Sequence, residues 1–139
     1  LSTGCCTVEL ENVAASTYDW SRLGVQPEVD DPMEADLLIV AGWINSERVE
    51  ELRLAYSELR GRRSVIAVGA CVLSGGPYLI AGQRPVLASD ILPVDIFVPG
   101  CPPRPEALID AIQSLKTRMK PGLNKTAVLY AALRDGTRS

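Results

Sequence analysis

The run Asp36-Leu-Leu-Ile-Val-Ala41, closed by Gly42, is continuously apolar after its opening aspartate, on both faces that a strand would present. A strand of this kind has to be covered on both sides, which a parallel sheet with helical crossovers achieves. The segment from Ser64 to Val68, closed by Gly69, repeats the pattern, and Val94 to Val98, ended by Pro99 and Gly100, reads as a third strand. A helix is expected between the first two. Asn45 or Ser46 can cap it, Glu47, Glu50 and Glu51 crowd its first turns, and Val49, Leu52, Tyr56 and Leu59 recur on one face before Gly61 closes it among Arg60, Arg62 and Arg63. A last helix starts with Pro105 at its first position and presents Leu108, Ala111, Ile112, Leu115 and Met119 before Pro121 and Gly122 stop it. Strands alternating with helices predict an α/β fold with an open, mostly parallel, doubly wound sheet. At 139 residues, 47% of them hydrophobic, the chain suffices for one domain with its own core, expected over residues 1–120. Residues 121–139 then form a C-terminal tail, whose apolar stretch Ala127 to Leu133 among Lys120, Lys125, Arg134 and Arg138 reads as a docking segment or a frayed end.

Ligands of doubly wound sheets lie outside the carboxyl ends of the strands. Cys71 follows one expected strand after Gly69 and Ala70, and Cys101 follows another after Pro99 and Gly100, so both should emerge on the same edge. Cys5 and Cys6 would join them if a strand preceded Leu1 and a helix began near Thr7. These four are every cysteine of the chain, and they sit in turn-like contexts with glycine or proline within two residues rather than on apolar faces. The pattern suits an iron–sulfur cluster, which needs converging thiolates with little bulk near the sulfides; Gly4, Gly69, Gly75, Gly76 and Gly100 would let backbone N–H groups approach sulfur. Zinc also takes four thiolates, but structural zinc sites come as Cys-x2–4-Cys pairs, which are absent here. A bond between the adjacent Cys5 and Cys6 would be severely strained, and four buried free cysteines are the remaining reading.

A formal charge of −3, with Lys and Arg spread out and aromatics few, gives no nucleic-acid surface. The longest apolar runs are about six residues, far short of the roughly 20 that cross a bilayer, and no signal-peptide pattern opens the chain. The chain begins at Leu1 and meets its cysteine pair almost at once, so a preceding segment is expected. Cysteines used as thiols point to the cytoplasmic side. Gly75 and Gly76 belong to no phosphate-loop pattern.

The blocks Gly4-Cys-Cys-Thr-Val-Glu-Leu10, Gly69-Ala-Cys-Val-Leu-Ser-Gly-Gly-Pro-Tyr78 and Pro93-Val-Asp-Ile-Phe-Val-Pro-Gly-Cys-Pro-Pro-Arg-Pro-Glu-Ala-Leu108 resemble the small cluster-bearing subunit of respiratory complex I, the NuoB or PSST type. The resemblance runs from about Gly4 to Leu115 and takes in Tyr18-Asp19, Arg22-Leu23-Gly24 and Glu34-Ala35-Asp36. It implies a flavodoxin-like fold and an electron-transfer subunit of an NADH:quinone oxidoreductase, not catalytic alone. One [4Fe-4S] cluster would be held by Cys5, Cys6, Cys71 and Cys101. The implied partners are a large hydrogenase-like subunit of the NuoD type, a ferredoxin-like cluster subunit and membrane subunits, with quinone in a shared cavity. The location implied is peripheral, on the cytoplasmic side of the membrane, or the matrix or stromal side in an organelle.

Glu9 matches an acid that the family places beside the cluster, a candidate for proton coupling; it also suits the first turns of a helix by charge alone. Glu11 reads as solvated or interfacial. Arg104 could hold the negative cluster region or stand exposed at a helix start. With no histidine in the chain, Rieske-type ligation from within it is excluded. Leu10 and Glu11 stand where methionines often follow the tandem cysteines, and residues 81–88 depart from the usual sequence. These departures keep in play the small subunits of membrane-bound group 4 NiFe hydrogenases or formate hydrogenlyases, which pass electrons to a NiFe centre. Those generally carry Cys-x-x-Cys; Thr3 stands at the earlier position here, which tilts the resemblance toward complex I.

Overall fold

Both apolar runs become strands in which every residue is buried, β2 (Leu37–Ala41) and β3 (Ser64–Val68), with β1 (Val25–Gln26) preceding them. In the computed structural model, which describes residues 4–26, 32–61, 63–79, 82, 84–118 and 125–131, they pair in parallel, from Leu37 opposite Ser64 to Ala41 opposite Val68. β4 (Ile96–Val98) extends the sheet from β3, and β5 (Lys125–Ala131) pairs with both β2 and β1. All pairings are parallel, in the order β1-β5-β2-β3-β4. The chain steps outward from β2 to β4 and then returns to the far side of β2. This gives the two winding directions of flavodoxin-like sheets, with the last strand making the turn back.

Parallel strands need crossovers, and here they cover both faces. Leu37, Ile39, Ala41, Ile66, Val68 and Val98 pack with Leu10 and Val13 of α1 (Cys5–Ala14) and with Leu108, Ala111, Ile112 and Leu115 of α5 (Pro105–Arg118). The alternate positions Leu38, Val40, Val65 and Ala67 pack with Leu52 of α2 (Val49–Glu58), Val72 of α3 (Ala70–Ser74) and Ala88 of α4 (Ala88–Ile91). The period of two in a strand thus sorts one continuous apolar run into two cores. Each fully buried Leu or Ile contributes roughly 1.5–3 kcal/mol.

Several boundaries differ from the sequence reading. α1 begins at Cys5 rather than near Thr7, because Gly4 occupies the cap position with extended backbone and needs no side-chain cap. Asn45 caps as expected, its Oδ1 accepting from the Arg48 N–H at 3.0 Å, but through a 3-10 turn over Ser46–Arg48 that precedes α2. That helix stops at Glu58, and Leu59 leaves it in extended conformation to bury itself, so Gly61 lies beyond the helix end. The third strand is shorter than expected: the Asp95 carboxylate accepts from the Val65 N–H at 2.7 Å, while the Asp95 N–H donates to Val65 at 2.9 Å, so a side chain does ladder work just before β4.

α5 starts at Pro105 as the pattern demands. Its Lys116 ammonium donates to the Leu23 carbonyl, tying the helix to the segment before β1. Residues 125–131, expected in the tail, form β5 in the middle of the sheet; their backbone pairs with two strands, as an apolar β-prone run does when edges are available on both sides. Leu1, Thr3, Met119, Lys120, Pro121, Gly122, Leu133, Arg134 and Arg138 lie outside the described residues.

Candidate functional site

Because β3 and β4 run in parallel, the segments leaving them emerge side by side. The Gly69 N–H donates to the Val98 carbonyl and the Ala70 N–H to the Gly100 carbonyl, both at 2.8 Å. These two bonds stitch the approach to Cys71 onto the approach to Cys101. Cys71 then sits in the first turn of α3, and Cys101 in the loop before α5. The first turn of α1 delivers Cys5 and Cys6 to the same edge: a Cβ built on Gly69 would run into Cys6 Sγ, and would lie 3.9 Å from Cys6 Cβ and 3.8 Å from the Gly100 carbonyl.

All four cysteines are free thiols, which removes the disulfide reading. They form two tiers. Cys6 is buried and Cys71 half-buried, whereas Cys5 and Cys101 are exposed. Burial, followed by the charges of Cys5 and Cys71, pushes the Cys6 thiol up to about 12; a hydrogen bond with Cys5 and the charge of Cys101 act in the same direction. Burial also raises the Cys71 thiol, with further contributions from Cys101 and Cys5. Every thiol therefore lies within electrostatic reach of others in the set. Among the described residues, no group of three or more Cys, His, Asp or Glu is gathered as it would be around a single metal ion. Zinc, with Zn–S of about 2.3 Å, would draw four sulfurs to about 3.8 Å from one another.

The glycines serve the site differently from the sequence reading. Gly69 has its N–H engaged with Val98, and the Gly75 N–H donates to the Cys71 carbonyl at 3.2 Å, so neither is left to approach sulfur. Gly69 instead makes room for Cys6. Gly76, at φ +50, backs onto the main chain of Cys71, where a Cβ would come within 3.2 Å of the Cys71 nitrogen. Neither contact could be read from spacing, since each joins segments brought together only by the sheet or a local turn.

Glu9 is half-buried on α1, one turn beyond Cys5 and on the same helical face. Glu11 and Arg104 are exposed. The Tyr18 hydroxyl donates to Glu106 at 3.1 Å and bridges the end of α1 to the start of α5. That hydrogen bond, then the Glu106 and Glu9 charges, raise the phenol above its ordinary value, against the opposing charge of Arg104. Tyr18 stood out in the sequence only through the resemblance; its pairing with Glu106 carried no sequence signal across 88 residues.

A doubly wound parallel sheet carrying four free thiols and no imidazole on its carboxyl edge defines an α/β protein built around a thiol site. The chain belongs to the NADH ubiquinone oxidoreductase 20 kDa subunit family, whose model matches residues 4–115. It is 44% identical over 117 residues to an NADH-quinone oxidoreductase subunit from Amoebophilus asiaticus, covering 84% of this chain and 72% of that one. It is 39% identical over 119 residues to the corresponding NADH-quinone oxidoreductase subunit from Phocaeicola vulgatus, covering 86% of this chain and 60% of the relative. A chloroplastic NAD(P)H-quinone oxidoreductase subunit from Cycas taitungensis is 38% identical over 118 residues, and the chain spans 45% of its length. A chain in the structure of the membrane-bound sulfane sulfur reductase, an archaeal respiratory membrane complex, superposes with a TM-score of 0.76 at 29% identity, covering 88% of this chain and 69% of the other.

Proposed function

We propose that this chain is the electron-transfer subunit of a membrane-associated NADH:quinone oxidoreductase and that Cys5, Cys6, Cys71 and Cys101 hold one [4Fe-4S] cluster. The observation that carries this reading is that the segments bearing Cys71 and Cys101 leave adjacent parallel strands, with Cys6 packed against Gly69 at the same edge and Cys5 beside it on α1. The donor set fits the group: four thiols that act on one another at one sheet edge, and no histidine in the chain. When bound, such a cluster supplies one-electron transfer at a potential tuned by burial, charge and hydrogen bonds to sulfur.

The residues of the chain then have distinct tasks. Cys6 and Cys71 hold the site from the core side. Cys5 and Cys101 complete it from the solvent side, where a large hydrogenase-like subunit would cover them and share a quinone cavity. A ferredoxin-like cluster subunit would be the donor and membrane subunits the anchor. Among the described residues no helix is long and apolar enough to cross a membrane. The place in the assembly that follows from the proposed role is peripheral, on the cytoplasmic, matrix or stromal side. Glu9, half-buried one turn from Cys5, is the carboxylate we assign to holding and releasing a proton as the charge of the site changes. Quinone is favoured over sulfane sulfur as acceptor, because the three quinone-reductase subunits compared above share 38–44% identity with the chain and the sulfane sulfur reductase chain 29%.

Anaerobic reconstitution of the full chain tests the reading. It should yield a brown protein with about four irons and four acid-labile sulfides. A colourless protein with one zinc and no sulfide would replace it by a zinc-stapled module. Cys71→Ser should abolish the paramagnetic signal of the reduced cluster, and an unchanged signal would remove Cys71 from the ligand set.

A further inference from the structure

Gly69 is buried at φ +92 and ψ 156, a conformation that residues with a Cβ rarely adopt. That strain alone would explain a glycine, but the direction of the absent side chain adds something else. It points at Cys6 Sγ, with the Cys6 Cβ at 3.9 Å and the Gly100 carbonyl at 3.8 Å. The volume a methyl would need at position 69 is the volume the Cys6 sulfur occupies. Cys6 has little room to move away, since it is 2% exposed and belongs to the same packed cluster as Leu10, Ile66, Val68 and Val98. The Gly69 main chain is held by its bond to Val98 and cannot retreat without opening the β3–β4 junction. Close packing of this kind transmits displacement rather than absorbing it.

We propose that Gly69 is a positioning residue that seats the Cys6 sulfur, so that the inner wall of the thiol site is set by the end of β3 rather than by the helix carrying the cysteine. Its consequence for bound iron rests on the cluster reading; the seating itself does not.

The test is a double-mutant cycle on the full chain without metal, read as the urea midpoint of unfolding. Gly69→Ala and Cys6→Ala should each lower the midpoint. In the double variant the colliding sulfur is gone and the two methyl carbons stand 3.9 Å apart, an ordinary contact, so the combined loss should be clearly smaller than the sum. The backbone strain at position 69 is present with and without the sulfur and cancels from the coupling. Gly61→Ala, another positive-φ site but with nothing within 4 Å, should show no coupling to Cys6→Ala. If Gly69→Ala does not fold, recovery of a folded chain in the double variant supports the seating, and failure of the double variant as well overturns it. Additive losses also overturn it.

Reconstitution supplies a second reading. Gly69→Ala should bind less than about half the iron and sulfide of the parent; full loading with an unaltered spectrum overturns the proposal. A parent chain that takes up no iron and sulfide would sink the cluster reading while leaving the cycle readable.

Discussion

Cys5 and Cys6 are adjacent on α1, yet Cys6 lies in the apolar cluster with Leu10 and Ile66 while Cys5 is exposed. One residue is about 100° of helical rotation, enough to carry a side chain from core to surface. The same division separates the half-buried Cys71 from the exposed Cys101. The inner pair comes from the first turns of α1 and α3, with Cys6 packed among core side chains and Cys71 half-buried. The outer pair is Cys5, which shares the first turn of α1 but faces outward, and Cys101, in the loop before α5, and both sulfurs are less enclosed by neighbours. A site made this way has a fixed back wall and a front open to a partner.

The largest expected effect separates the two tiers directly. Cys6→Ser or Cys71→Ser should leave less than about a tenth of the iron and sulfide after reconstitution, whereas Cys5→Ser or Cys101→Ser should keep more than about half, with a changed electron paramagnetic spectrum. Equal losses at all four positions would break the comparison. Next comes reactivity in the metal-free chain. Burial pushes the Cys6 thiol from 9.0 up to about 12, so little of it is thiolate at pH 8, and its alkylation should be markedly slower than that of the exposed Cys5, as followed by peptide mass spectrometry. Similar rates would show that the back wall opens in solution.

A smaller effect follows from the same raised thiol. The folded chain holds the Cys6 proton more tightly than the unfolded one, so this group favours folding below about pH 9 and loses that contribution as pH rises toward 12. Urea midpoints of the metal-free chain should fall through that window, and those of Cys6→Ala should fall less. The smallest effect lies far from the thiols. Asn45→Ala removes the cap on the turn before α2 and should cost about 1 kcal/mol of stability with no change in iron content. A loss of iron there would mean that the back wall is not the local device described.

The doubly wound sheet was legible because Leu37–Ala41 and Ser64–Val68 are apolar at nearly every position, a pattern that only two-sided burial satisfies. Cys71 and Cys101 could be assigned to one sheet edge from their short distance to strand ends. The place of β5 was not legible. An apolar run near a chain end looks alike as tail or as strand, and only the open edges of β1 and β2 decide between them. The early end of α2 was hidden as well, because burying Leu59 outweighs the stop signal at Gly61. Asp95 was read as part of a strand; its carboxylate acts instead as a ladder acceptor for Val65, a role invisible without the partner strand.

What the sequence determined alone is a set of local facts: period-two and period-3.6 burial, capping residues, and four cysteines placed at the ends of elements. These depend on neighbours a few residues away, and the residue types declare them. Tertiary structure alone decided which thiols face the core, that Gly69 yields its side-chain volume to Cys6 across 63 residues of chain, and that the Gly69 N–H serves Val98 and not sulfur. The reason is physical: excluded volume and hydrogen-bond commitment belong to pairs of groups, and such pairs come into being only when the sheet brings distant segments together.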